Sequence, residues 1–288
     1  MNLPPEIINK IICFINSYYY PILYHIFFSD FLNSPPHINQ LNDLLCWAAK
    51  NRNKKLCYLA KKWGANDFVS MLYAATQIGS KQICCLAKKW KEQKKEKNID
   101  KEQEQSNNYK QSIKKQKKIF DKMLLIATQN NYEHLCHLAK EWGATDFDRM
   151  LYKAAEYNHE HLCYLAKEWG ATDSAVSMML GVAASNENEQ LCRLAKEWGA
   201  NRFDIMLSEV AARGNKHLCY LAREWGANSI NDFNWMIEAA ARGGHEELCY
   251  LAKEWGATNF VGMLCVADLF KRKKLVALAR KWINENKS

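Results

Sequence analysis

Apolar and polar residues follow one another along most of the chain in blocks that recur. In one such block Leu248, Leu251, Ala252 and Trp255 fall at i, i+3, i+4 and i+7, the spacing of one helix face. His245, Glu246 and Glu247 open that helix, where negative charge suits the dipole. Lys253 lies in its last turn, and Gly256 follows as a left-handed cap. Just upstream, Met236 to Ala241 predicts a shorter helix that ends at Gly243-Gly244. Each block therefore predicts two antiparallel helices and a loop.

The pattern Leu-Cys-x-Leu-Ala-Lys-x-Trp places the blocks on a period. Its cysteines are Cys57, Cys84, Cys136, Cys163, Cys192, Cys219 and Cys249, and Val276 holds the place in a degenerate eighth copy. The gaps are 27, 52, 27, 29, 27, 30 and 27 residues, so long and short alternate, and the 52 reads as a normal gap plus an insert. Such periodicity predicts an array in which each helix pair buries its apolar face against its neighbours, with both ends capped. The expected organisation is an N-terminal helical cap at 1–40, repeats one and two at 41–90, a charged flexible insert at 91–118, repeats three to seven at 119–257, and a degenerate capping repeat at 258–288.

Residues 240–257 resemble the central stretch of the ankyrin repeat, matching it without a gap at Ala240, Ala241, Arg242, Gly244, His245, Glu247, Leu251, Glu254, Gly256 and Ala257. The resemblance extends over roughly 41–90 and 119–283. It departs from the family in period and at the Thr-Pro-Leu-His signature, whose places hold Trp235, Met236, Ile237 and Glu238. The resemblance implies an all-α solenoid of about eight helix–turn–helix units with short or absent β-hairpin fingers. Truncated copies ending Trp-Gly-Ala are similar to ankyrin-like multigene families of large cytoplasmic DNA viruses. Leu3-Pro4-Pro5-Glu6-Ile7-Ile8 resembles the opening of an F-box, a module that recruits ubiquitin-ligase scaffolds, although Tyr18-Tyr19-Tyr20-Pro21 onward fits that module poorly.

Charge changes this picture little. The net charge is +9, but residues 91–118 alone hold ten Lys against five acidic residues. That segment is rich in Gln and poor in apolar residues, which predicts a solvated loop or frayed helix. It offers a nucleic-acid role, but Tyr109 is its only aromatic and the interleaving of single-strand binders is missing. Residues 11–28 are apolar-rich but broken by Asn16, Ser17, Pro21 and His25, which argues against a bilayer span. The eleven cysteines contain no C-x-x-C pair, and equivalent copies on successive helices sit too far apart to bridge. Free thiols of this kind suit a reducing, cytoplasmic compartment.

The Cys column reads as small buried thiols chosen for volume rather than as a metal array. The trios His134, Cys136, His137 and His159, His161, Cys163 lack the convergence zinc requires. The Trp column (63, 90, 142, 169, 198, 225, 255, 282) shares its helical phase with Leu and Ala and reads as packing, with the Lys and Glu before each Trp on a solvated outer face. No catalytic signature appears, and no enzyme activity or cofactor is expected. The positions that vary between copies are then the ones free for recognition. In ankyrin arrays the first helices line the binding face, so the resemblance implies a monomeric scaffold that binds a partner protein there. The candidate contact residues are Tyr73, Tyr152, Lys153, Ser208, Glu209, Trp235 and Glu238. A sharper expectation is a ubiquitin-ligase substrate adaptor that recruits through 1–40.

Overall fold

The computed structural model describes residues 38–99 and 106–286. The expected F-box-like segment and the apolar run at 11–28 lie outside them. The chain divides into two compact units, 1–126 and 127–288. Among the described residues there are sixteen helices and no strand, and in each unit they form an all-α helical-repeat solenoid. Unit 1 holds α1 (Ile38–Lys50), α2 (Lys54–Trp63), α3 (Phe68–Gln77) and α4 (Lys81–Ile99), and α5 (Ser106–Gln129) crosses the boundary. Unit 2 continues with α6 (Glu133–Glu141), α7 (Phe147–Glu156), α8 (Glu160–Glu168), α9 (Asp173–Ser185), α10 (Glu189–Glu197) and α11 (Phe203–Arg213). It ends with α12 (Lys216–Trp225), α13 (Ile230–Gly243), α14 (Glu246–Trp255), α15 (Phe260–Leu269) and α16 (Lys273–Glu285). No helix of the described residues is long and apolar enough to cross a membrane.

The sixteen helices follow one another as eight pairs, as the repeat count requires. Odd-numbered helices are the first helices of their repeats. From α7 to α13 each packs on the next odd helix and on its own even partner, and α15 packs on α16. Between α2 and α3 and between the repeats of unit 2, the connections where fingers would stand are only four or five residues long, for example 64–67 between α2 and α3. Gly64 takes φ +116°, a conformation in which a Cβ would be strained, and its N–H donates to the carbonyl of Lys61.

In three of the repeats one side chain ties successive connections together. Asn42 Oδ1 accepts from the backbone of Asn66 (2.8 Å) and Asp67 (3.0 Å). Asn234 Oδ1 does the same for Thr258 (2.7 Å) and Asn259 (2.9 Å), while the Asp148 carboxylate takes both the Thr172 N–H and its hydroxyl. Each thereby satisfies orphan donors at the start of the next repeat's first helix.

The first helices alternate in length. Counting from the Phe that packs on the repeat's Trp (Phe147, Phe203, Phe233, Phe260) or from Val176 at the same register, α7, α11 and α15 begin at that residue, whereas α9 and α13 begin three residues earlier. These added turns occupy the longer gaps seen in the sequence. The expected helix at 236–241 is therefore longer than the pattern suggested, reaching back to Ile230. A reciprocal capping box holds it: Ser229 Oγ accepts from Asp232 N (3.1 Å), and Asp232 Oδ2 accepts from Ser229 N (2.8 Å). The insert at 91–118 also carries more helix than its composition suggested. α4 runs to Ile99 and α5 starts at Ser106, because Lys, Glu and Gln are good helix formers even without an apolar stripe.

The Trp column packs between repeats. Trp255 receives Tyr220 from the preceding second helix edge-on (5.3 Å between centroids) and Phe233 from its own first helix (5.7 Å). The Arg223 guanidinium of the preceding repeat lies 4.6 Å from its ring. The same three partners recur as Tyr58, Phe68 and Lys61 around Trp90, and as Tyr250, Phe260 and Lys253 around Trp282. His137, Phe147 and Lys140 surround Trp169, while Trp225 has Phe203 and Lys196, with Arg193 replacing the ring. The cation before the Trp is thus part of the packing of the next repeat, and only the Glu beside it remains on the solvated face. Trp198 departs from the set: it keeps Tyr164 (5.3 Å), but Val176 stands in the Phe place and Lys167 pairs instead with Asp173 (3.0 Å).

All seven column cysteines are fully buried, and Cys84 and Cys136 lie 3.6 Å from Thr76 and Thr128 respectively. Burial pushes the thiols up from the ordinary 9.0, to about 11 at Cys84 and Cys136 and about 12 at the other five. The folded chain thus keeps protons that the unfolded chain releases above about pH 9.

Two outcomes follow from this packing. Trp255→Ala should cost about 3–5 kcal/mol in chemical denaturation, and Trp198→Ala distinctly less, because two of its three partners are missing. Stability should fall as pH rises from about 9, each column thiol adding up to about 1.4 kcal/mol per pH unit. Replacing Cys192 and Cys219 by Ala should flatten the dependence of unfolding free energy on pH, whatever it does to the absolute value.

Candidate binding surface on the first helices of unit 2

Two, five and six residues beyond the Trp-packing position lie the residues of each first helix that face away from its own second helix, all but the buried Ala239 at least partly exposed. Two residues on, these are Arg149, Met178, Ile205, Trp235 and Gly262; five on, Tyr152, Gly181, Ser208, Glu238 and Cys265; six on, Lys153, Val182, Glu209, Ala239 and Val266. Five of the candidates, Tyr152, Lys153, Ser208, Glu209 and Glu238, are half-buried, and Trp235 is exposed. All six stand on first helices of unit 2, on α7, α11 and α13, with none on the intervening α9. Tyr73 belongs to unit 1, where the Lys122 ammonium lies 4.5 Å from its ring.

A groove of about 520 Å³ runs over α7, α9 and α11. Its apolar lining comes from Tyr152, Met178, Val182 and Ile205, and Glu156 and Glu209 stand at its edge. Gly181 forms part of the lining. Glycine inside a helix costs about 1 kcal/mol relative to alanine, yet a Cβ here would come 3.3 Å from Ile205 Cγ2. The bare backbone keeps α9 and α11 close and leaves the groove unfilled.

Polar groups around the groove are held in two ways. Lys153 pairs with Glu156, and Arg202 with Asp204 (2.9 Å), whose carboxyl is held below the usual range chiefly by that hydrogen bond. Glu209 and Glu238 are held by neutral donors instead. Glu209 Oε2 accepts from Ser185 Oγ (2.7 Å), and Glu238 Oε1 accepts from Asn259 Nδ2 (2.6 Å). Both donors come from a neighbouring repeat, so each carboxylate is oriented without being neutralised by contact.

Met178, Ile205 and Val182 were absent from the sequence-based set, although the rule that selected Tyr152 and Glu209 leads to Val182 directly. Met178 and Ile205 were missed because they occupy the position of Trp235, two residues past the packing residue, and in α9 that register is hidden by Val176 standing for Phe. Elsewhere, His134 and His137 are exposed while Cys136 is buried between repeats. Among the described residues no group of three His, Cys, Asp or Glu side chains is placed to hold a metal.

The sequence matches no protein-family model, and no curated protein matches it either. The assignment of this surface therefore rests on its own geometry.

Trp235 is 49% exposed and stacks on no other ring among the described residues. Trp235→Ala should accordingly shift unfolding free energy by less than about 1 kcal/mol, in contrast to Trp255→Ala, when both are measured in the same denaturation series.

Proposed function

We propose that the protein is a non-catalytic interaction scaffold of ankyrin-like type, which binds a partner protein along the first helices of unit 2. The observation that carries the reading is the contrast between the two indole environments. Trp90, Trp169, Trp225, Trp255 and Trp282 are each enclosed by rings and cations of their own and adjoining repeats, whereas Trp235 and the 55% exposed Met178 stand outside the packing. Large apolar side chains gathered beside a groove with a polar rim are what an interface supplies to its partner. The adaptor form of this reading assigns ligase recruitment to 1–40 and rests on Leu3-Pro4-Pro5-Glu6-Ile7-Ile8 alone.

A photo-crosslinking residue placed at 178 or 235, and in parallel at Tyr164 or Tyr220 on the second helices, tests the surface in living cells. Discrete adducts from 178 and 235, and an adduct from a probe at Ile205 that is lost when Met178→Glu and Trp235→Glu are added, are the expected result. Adducts only from the second-helix positions would move the binding face to the other side of the array.

A further inference from the structure

The scaffold reading leaves open what kind of surface the partner offers, and three features of α9, α11 and α13 narrow it. The first is an apolar row. Met178, Ile205 and Trp235 occupy the same register on three consecutive first helices, α9 packing on α11 and α11 on α13. With neighbouring helix axes about 8–10 Å apart, the row crosses the helices over roughly 20 Å. The second is charge. These three helices carry five acidic side chains (Asp173, Asp204, Glu209, Asp232, Glu238) and two basic ones (Arg213, Arg242), a net of −3 in a chain whose net charge is +9. The third is how the carboxylates are spent. Asp173 and Asp204 sit in ion pairs and Asp232 in its capping box. Glu209 and Glu238, beside the apolar row, have only the Ser185 hydroxyl and the Asn259 amide. Arg213 and Arg242 lie one helical turn beyond them, toward the helix C-termini, and form no ion pair with them.

From these we infer that the row on α9, α11 and α13 docks an amphipathic, Lys/Arg-bearing segment of a partner protein. Its apolar side lies on Met178, Ile205 and Trp235, and its cations reach Glu209 and Glu238. A helix that follows a row of roughly 20 Å needs about 14 residues at 1.5 Å per residue, with apolar residues at i, i+3, i+4 and i+7. Gly181 fits this role, since it keeps the groove beside Met178 open for a side chain of the segment.

The inference rests on the scaffold reading, and the following experiment separates the two. Three fluorescent 14-residue peptides are titrated into the full chain and followed by anisotropy: one with Leu at i, i+3, i+4, i+7 and Lys elsewhere, one with Glu replacing every Lys, and one with the first composition in scrambled order. The Lys peptide should bind at least about tenfold tighter than either of the others, and more weakly as salt rises. Trp235→Ala, and separately Glu209→Gln/Glu238→Gln, should each weaken it about tenfold, whereas Tyr164→Ala on a second helix should leave it unchanged. Circular dichroism of every variant establishes that the helices persist. On binding, amide exchange should slow in α9, α11 and α13 rather than in α10, α12 and α14. Equal or tighter binding of the Glu peptide, equal binding of the scrambled one, or equal loss with Tyr164→Ala would overturn the inference. Self-association of the chain through this row, detected by sedimentation and abolished by Trp235→Ala, would also overturn it by naming a second copy as the occupant. If cross-links from 178 and 235 to a protein other than a second copy still form after any of these outcomes, the scaffold reading survives and only the partner's chemistry is wrong.

Discussion

The array depends on one contact made again and again: a cation of one repeat laid on the indole of the next. Two nine- or ten-residue helices cannot bury enough apolar surface to stand alone, so stability has to come from neighbours. A Lys or Arg at 4.4–4.6 Å from Trp90, Trp169, Trp225, Trp255 and Trp282 supplies attraction and coverage together. Its aliphatic stem shields the ring while its charge meets the ring face, and such contacts are worth about 0.5–2 kcal/mol each according to how dry they are. The edge-on Tyr or His and the Phe complete the enclosure. Because the cation belongs to one repeat and the indole to the next, the contact exists only when the repeats are stacked in register. It therefore acts on order along the array as much as on stability.

The joint between the fourth and fifth repeats relaxes this rule, and the groove lies beside it. Val176 leaves Trp198 without its Phe, and Lys167 turns to Asp173 at the start of the lengthened α9. In the same helix Gly181 gives up helix propensity for an open groove. The Val in the Phe place, the Asp173 that draws Lys167 away and the bare Gly181 thus all fall within one helix. Substitutions that would be losses for packing coincide with the place where a side chain from outside can be received.

Much of the fold could be read from the sequence, because the signals that specify it are local and repeated. Leu248, Leu251, Ala252 and Trp255 state a helix face, Gly256 ends it, and eight copies of that statement fix the number of pairs. The boundaries of first helices were less legible: Ser229 and Asp232 look like loop residues until their reciprocal hydrogen bonds are seen. The role of the Lys before each Trp was hidden for a different reason, since its partner lies some thirty residues away, in the next repeat, and no local pattern announces a contact made across repeats. Of the candidate site, the five- and six-residue positions were visible as variation between copies. The row through Met178, Ile205 and Trp235 was not, because its members come together only by the stacking of α9, α11 and α13.

The alternation of first-helix length has a consequence for how such an array can grow. In unit 2 a long first helix, α9 or α13, always follows a short one, and the exposed Met178 and Trp235 both belong to the long kind. The true building block there is two repeats, not one. Gain or loss of a block would keep crest and trough in step and change only how far the corrugation runs. Gain or loss of a single repeat would set two crests side by side and erase the trough between them. The surface is in this sense a ruler marked in steps of two repeats, on which length can vary by whole divisions while the shape of each division is preserved.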